Sequence, residues 1–187
     1  MTGHIPTMRP FDTDENWKVI YTAVQLNSAL VALPVLRDRL IEAYGFNTNQ
    51  ATVAAGMLIT GSRDPSPDRK RLVANWSKVE QRGQIGFGEF RRTATEYKFR
   101  ADYTYTYYFS TTSSYMSPPG IPLPGAPLVM RSPTLVEDRE SGLYLVAARE
   151  NGAAVCLCSD SGEARTSEFS FNADGSLSIK GLGSFRK

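Results

Sequence analysis

The chain has 187 residues, of which 41% are hydrophobic and 21% charged, so it can bury a core without disulfides or a structural metal. Its 21 basic and 19 acidic side chains give a net charge of +2, which does not demand a nucleic acid or an anionic membrane as partner. The single histidine, His4, leaves no base for a Ser-His-Asp or Cys-His site in the body of the chain, and no nucleotide-binding fingerprint occurs.

The first residues carry no targeting signal. Pro6 and Pro10 interrupt the N-terminal segment, which has no apolar core of signal-peptide length. The longest apolar stretch, residues 29–36, contains Pro34 and is much shorter than a membrane span. We therefore expect a soluble, intracellular protein with an N-terminal tail at residues 1–12.

Residues 13–83 have apolar side chains at helical spacing and predict about four helices. The predicted helices begin at a capping box of Asp12 and Glu15, at Pro34, after Asn47 or Thr48, and at Ser66. Glycines end the second, third and fourth helices at Gly45, Gly61 and Gly83. In the fourth helix the apolar stripe consists of Leu72, Val73, Trp76 and Val79.

Residues 84–187 change to the two-residue alternation of β-strands. Turn sequences at 151–152, 161–162 and 172–175 separate four strands and predict an antiparallel meander. The first two of these strands are apolar on both faces, as strands covered on both sides should be. One or two further strands are expected at 84–92 and 96–110.

A proline-rich loop at 117–127 interrupts the strands and cannot form a central strand, because proline lacks the donor that a sheet requires. The predicted class is α+β, with the helical segment packed on an antiparallel β-meander or partly closed β-barrel as one folded unit. In an assembly, the proline-rich loop could also reach a neighbouring subunit.

An aromatic stripe is the strongest candidate for a binding surface. Its rings recur at alternate positions around the segment FRADYTYTYYF, and many carry a hydroxyl that needs a partner when buried. Three interpretations stay open: a sheet core with a wet rim, a subunit interface, or a ligand pocket. The candidate residues are Tyr97, Phe99, Tyr103, Tyr105, Tyr107 and Phe109.

Basic residues and cysteines give weaker signals. Nucleic-acid contact is possible through Arg69, Lys70, Arg71, Arg91 and Arg92, although acidic residues are interspersed and a solvated mixed face is the default. Cys156 and Cys158 are interpreted as two buried thiols on one strand, because the chain has too few soft ligands for a metal site. No catalytic residue, cofactor or metal is assigned.

These observations favour a non-enzymatic, self-associating structural or binding subunit that uses the aromatic face and the proline-rich arm and forms a homo-oligomer or binds other protein chains. One alternative is a cofactor-independent enzyme or carrier that holds a small apolar ligand between helices and sheet, against Tyr103, Tyr105 and Tyr107. A second alternative is a nucleic-acid-binding protein that uses the local Arg and Lys residues.

Overall fold

The computed structural model describes residues 29–62, 64–84, 87–116 and 130–187, with side chains at 33–62, 64–83, 90–114 and 133–187. Three helices come first: α1 (Ala29–Tyr44), α2 (Thr48–Leu58) and α3 (Ser66–Leu72). Eight strands follow: β1 (Asn75–Gln84), β2 (Phe87–Phe99), β3 (Thr104–Met116), β4 (Met130–Arg149), β5 (Gly152–Ser159), β6 (Ala164–Phe171), β7 (Leu177–Ile179) and β8 (Gly183–Phe185). The α+β class with an antiparallel meander is confirmed.

The second predicted helix ends where expected but begins at Ala29 and not at Pro34, whereas the third begins and ends close to its predicted bounds. α1 continues through Pro34 and ends before Gly45, whose φ of +69° suits a glycine after a helix. α2 starts with a capping box in which the Asn47 side chain accepts from the Gln50 backbone and the Gln50 side chain accepts in return. None of the described helices is both long and apolar enough to span a membrane.

The predicted fourth helix is wrong beyond Leu72. The structure ends α3 there and places Asn75–Gln84 in β1, so the described residues hold three helices and not about four. Trp76 is buried, as a helical stripe would require, but Val79 is 56% exposed. Pairing of β1 with β2 therefore overrides the local helical spacing.

Three predicted segments lie outside the described residues. They are the tail at 1–12, most of the first predicted helix and the loop at 117–127.

The eight strands form one antiparallel sheet in the order β1 to β8. The sheet curls until β1 meets the segment after β8, where Ser77 and Arg186 exchange two backbone hydrogen bonds of 2.7 and 2.9 Å. The result is a nearly closed barrel. The predicted turns at 161–162 and 172–175 lie between β5 and β6 and between β6 and β7, and the turn predicted at 151–152 lies one residue earlier, at 150–151 between β4 and β5.

The two faces of the barrel sheet bury different residues. The inner face fills the barrel with side chains that include Trp76, Tyr97, Phe99, Tyr105, Tyr144, Val155, Phe169, Leu177 and Phe185, all of them buried. On the outer face of β4 and β5, Leu145, Ala147, Cys156 and Cys158 are buried next to α2. Those two strands are thus covered on both sides, as their composition predicts.

α2 is held against the barrel by hydrogen bonds at both of its ends. At its start, the Asn47 side-chain amide donates to the Gly162 carbonyl and the Gln50 amide donates to the Ser159 carbonyl, both at 2.8 Å. After its end, the Ser62 amide donates to the Ala148 carbonyl at 2.8 Å. The helical layer therefore sits on the outside of the sheet.

β1 to β4 extend beyond the barrel as a four-stranded ribbon, which we call the distal sheet. It comprises residues 79–84, 87–94, 110–116 and 130–137, outward from the row in which Val79, Ala94, Ser110 and Glu137 lie side by side. Its free end is the tip, where β3 leads to the proline-rich segment 117–127. Among its described side chains, one residue, Thr111, is buried.

Candidate functional site

The aromatic stripe turns back on itself and does not follow one strand. The predicted strand at 96–110 is divided by a turn at Arg100–Tyr103 between β2 and β3, with Tyr103 at a φ of +65°. The stripe survives because Phe99 pairs with Tyr105 and Tyr97 with Tyr107 across the hairpin. Directly opposed residues of an antiparallel pair share one face, so these rings still point together.

The structure places most of the stripe inside the barrel. Tyr97, Phe99, Tyr103 and Tyr105 are between 0% and 3% exposed, while Tyr107 and Phe109 are half-buried towards the distal sheet. Neighbouring rings are in contact, with centroids 4.9 Å apart for Tyr97 and Tyr107. The Phe99 ring also lies 5.0 Å from Tyr144 on β4. The four buried rings are therefore part of the core of a single chain.

The buried tyrosine hydroxyls find partners at opposite ends of the barrel. The Tyr105 hydroxyl donates to Glu140, and the Arg165 guanidinium donates to the same carboxylate at 2.7 Å. At the other end, the Tyr144 hydroxyl donates to the Arg100 carbonyl in the β2–β3 turn at 2.7 Å. Tyrosine is tolerated in this core because its oxygen reaches a partner, which phenylalanine would not need.

Burial raises the pKa of Tyr97, Tyr105, Tyr107 and Tyr144 above the ordinary value, and the nearby Glu140 carboxylate raises it further for Tyr105. A raised tyrosine pKa favours the neutral form in the folded state. The resulting stability is complete below the ordinary pKa of about 10 and is lost as the pH rises above it. The barrel should therefore be sensitive to alkali.

We expect Tyr105→Phe to make the alkaline loss of stability less steep by up to about 1.4 kcal/mol per pH unit, because one titrating group is removed. Urea unfolding of wild type and variant from pH 8 to about 11 measures the two slopes. Slopes are compared and not absolute values, since the variant also loses the hydrogen bond to Glu140 at every pH. Equal slopes would show that Tyr105 ionises as easily in the folded chain as in the unfolded one.

The structure does not place Tyr103, Tyr105 and Tyr107 together between helices and sheet, where the apolar ligand was predicted. Tyr105 and Tyr107 lie on the inner face, whereas α2 packs on the outer face of the sheet, so within the described residues no space between helices and sheet is lined by both. Tyr103 instead lies beneath α3, with the Arg69 guanidinium 4.3 Å above its ring. A ligand between the rings of the stripe would need to separate neighbouring rings whose centroids are 4.9–6.4 Å apart.

The five basic residues fall into two separate groups. Arg69, Lys70 and Arg71 lie in the last turn of α3 near the barrel end, where Arg69 and Arg71 cover the rings of Tyr103 and Phe171. Arg91 and Arg92 lie on β2 near the tip of the distal sheet. Seven residues of extended strand, about 23 Å, separate them from Lys98 at the barrel end. The structure does not bring the five together.

The two cysteines lie side by side on the outer face of β5 under the helical layer. Their sulfurs are 3.7 Å apart, and both side chains are buried. The contact with Cys156 and burial raise the pKa of the Cys158 thiol, which keeps it protonated and unreactive. In the ranges with described side chains, no three His, Cys, Asp or Glu residues come together as a metal site requires.

In the described part of the chain, three of the five large apolar side chains that stay exposed lie on the distal sheet. Leu135 is 60%, Val79 56% and Val136 53% exposed. Leu135 and Val79 lie on the outer face, with Val136 on the inner one. The sequence pattern does not indicate this surface, because Val79 falls in the predicted fourth helix and Leu135 and Val136 fall in no predicted element.

The distal sheet carries charges that lack partners among the residues that the structure describes. Arg92 lies on its outer face and Arg91 on its inner face, both exposed and without an ion pair. Glu96, four residues beyond Arg92 on the same strand, is also exposed and unpaired there. Glu137, in contrast, accepts from the Tyr108 hydroxyl at 2.6 Å and lies 3.9 Å from the Arg139 guanidinium.

Comparisons with models of known protein families, with curated proteins and with solved structures found no match.

Proposed function

We propose that the protein is a non-enzymatic, self-associating structural or binding subunit, and that the distal sheet is the surface through which copies meet. The observation that carries the proposal is the exposure of Val79, Leu135 and Val136 on a sheet with no layer on either face among the described residues. The aromatic stripe contributes through Tyr107 and Phe109, which remain half-buried at the base of this sheet.

The physical argument is that a sheet gains stability by packing at least one face against another layer. The barrel portion of β4 has such layers on both faces, whereas its residues 133–139 are all exposed. Large apolar side chains on both faces of this sheet gain free energy when a second surface removes them from water. A second protein surface supplies the missing layer.

Two further features support association through the same region. Among the described residues, β4 has no neighbouring strand on its outer edge before Gly142, where pairing with β5 begins, so its backbone groups are open to an added strand. The proline-rich segment 117–127 joins β3 to β4 at the tip. We propose that this proline-rich arm also contacts the partner copy.

The test is the mass in solution by light scattering over a range of protein concentrations. We expect wild type to rise above the monomer mass of 20.6 kDa and the variant Leu135→Lys/Val136→Lys to stay at it. The two lysines replace apolar contact on both faces with charge that is costly to bury, so dissociation should increase by about tenfold or more.

Val35→Lys is the matched control, because Val35 is 58% exposed on α1 and lies outside the distal sheet. It should associate as wild type does. A wild type that stays monomeric at every concentration contradicts the proposal. Mass that falls on treatment with nuclease would instead point to nucleic acid as the partner.

A further inference from the structure

We propose that two copies pack together the outer faces of β1 to β4 at the base of their distal sheets, about a two-fold axis, with Arg92 of each copy paired to Glu96 of the other. This inference rests on the proposed function and names the face, the partner and the contact. The partner is a second copy of this chain.

The register of the strands sets out the outer face in three rows. The row nearest the tip holds Gln81, Arg92, Thr112 and Leu135; the middle row holds Val79, Ala94, Ser110 and Glu137; the row nearest the barrel holds Ser77, Glu96, Tyr108 and Arg139. Successive rows on one face are about 7 Å apart, since side chains alternate along a strand. A two-fold axis along the middle row exchanges the two outer rows.

The exchange brings opposite charges together on β2. Arg92 and Glu96 lie two residues on either side of Ala94, so the axis places Arg92 of one copy over Glu96 of the other, twice in the dimer. Within one chain the two side chains start about 13 Å apart along the strand and do not pair. A face whose unpaired charges become partners only after a two-fold rotation is self-complementary.

The remaining contacts are compatible with close packing. Val79 meets its own copy, and Ala94 and Ser110 are small enough for the sheets to approach to about 10 Å. Leu135 lies over Arg139 of the other copy, whose aliphatic stem covers an apolar side chain well. Glu137 meets its own copy at the sheet edge, where its hydrogen bond from Tyr108 and the neighbouring Arg139 offset the repulsion.

The expected dimer is weak because the face is small. Four strands span about 20 Å, and a contact that extends about 12 Å to either side of the middle row covers about 500 Å² of each copy, or about 1,000 Å² in total. That area lies at the lower limit of specific interfaces. The antiparallel arrangement also places the two barrels on opposite sides of the axis.

Charge reversal with rescue tests the pairing by sedimentation or light scattering of the full chain. Arg92→Glu sets a carboxylate against the Glu96 carboxylate of the other copy, and Glu96→Arg sets a guanidinium against the Arg92 guanidinium. Each variant alone should therefore dimerise at least about tenfold more weakly than wild type. An equal mixture of the two variants should form heterodimers, because every pair is then opposite in charge. The double variant should also recover self-association.

Arg91→Glu is the matched control, since Arg91 adjoins Arg92 on the same strand and points to the opposite face with similar exposure. It should dimerise as wild type does. If wild type associates and neither Arg92→Glu nor Glu96→Arg weakens it, or if the mixture fails to recover, the pairing is wrong while the proposed function stands. If wild type is monomeric throughout, the proposed function itself fails.

Discussion

Gly142→Ala should destabilise the protein by about 3 kcal/mol or more, because a methyl group has no room at this position. A Cβ atom built on Gly142 would lie 2.0 Å from the Cys158 carbonyl oxygen and 2.8 Å from the Ser159 Cα. Both are backbone atoms of β5, which is covered on both faces and cannot move aside. Gly142 pairs with Ser159 at the point where the pairing of β4 with β5 begins.

Urea unfolding followed by circular dichroism measures the effect as a lower midpoint at unchanged slope. Gly56→Ala is the control: Gly56 lies inside α2, has no atom within 4 Å of a built Cβ, and should gain about 1 kcal/mol from the higher helix propensity of alanine. A Gly142→Ala variant as stable as wild type would mean that β4 and β5 do not approach so closely.

Trp76→Ala should cost about 3–5 kcal/mol, the range for removing a large buried aromatic side chain. Trp76 is 1% exposed, its indole N–H donates to the Leu72 carbonyl at 2.8 Å, and its ring lies 5.9 Å from Phe171 on β6. The substitution empties the barrel next to the seam where Ser77 pairs with Arg186. Thermal or urea unfolding measures the loss.

Val79→Ala is the appropriate comparison on the same strand, because Val79 is 56% exposed and its removal should change stability by less than about 0.5 kcal/mol. Both variants are measured at low protein concentration, where association contributes least. Similar losses for Trp76→Ala and Val79→Ala would show that β1 is not a wall of the barrel.

The C-terminal meander could be predicted because its signals are local. Asn151 and Gly152 mark the turn between β4 and β5 to within one residue, and Gly152, Gly162 and Gly175 all have a positive φ. The apolar composition of β5 on both faces also predicted the layer that α2 provides. β8 was missed, since three residues are too few to show an alternation.

The helix predicted over the residues of β1 is wrong because the local spacing of apolar residues favours a helix, whereas long-range pairing with β2 favours a strand. Leu72 and Trp76 are both buried and four residues apart, which satisfies a helix, yet they lie on either side of the junction between α3 and β1. The indole hydrogen bond to Leu72 makes this junction compact. Only the exposed Val79 contradicts the helical interpretation, and its exposure is visible in the folded chain alone.

The turn at Arg100–Tyr103 lacks glycine and proline, so the stripe looked continuous. Asp102 is the residue that could have indicated this turn. Its side chain accepts hydrogen bonds from the Thr104 backbone amide at 3.1 Å and from the Thr104 hydroxyl at 2.6 Å. Such local carboxylate bonds are typical of turns. The aromatic residues were correctly grouped on one face, but a sequence does not show whether that face is turned inward.

The seam between Ser77 and Arg186 links residues that are 109 positions apart in the chain. At a synthesis rate of about 5–20 residues per second, roughly 5–20 s pass between the appearance of the first strand and that of its closing partner. Throughout that interval β1 has a neighbour on one side only, and its other edge is open to any extended segment nearby. Newly made chains of this protein are therefore most vulnerable to mispairing before the last turn of the barrel is translated.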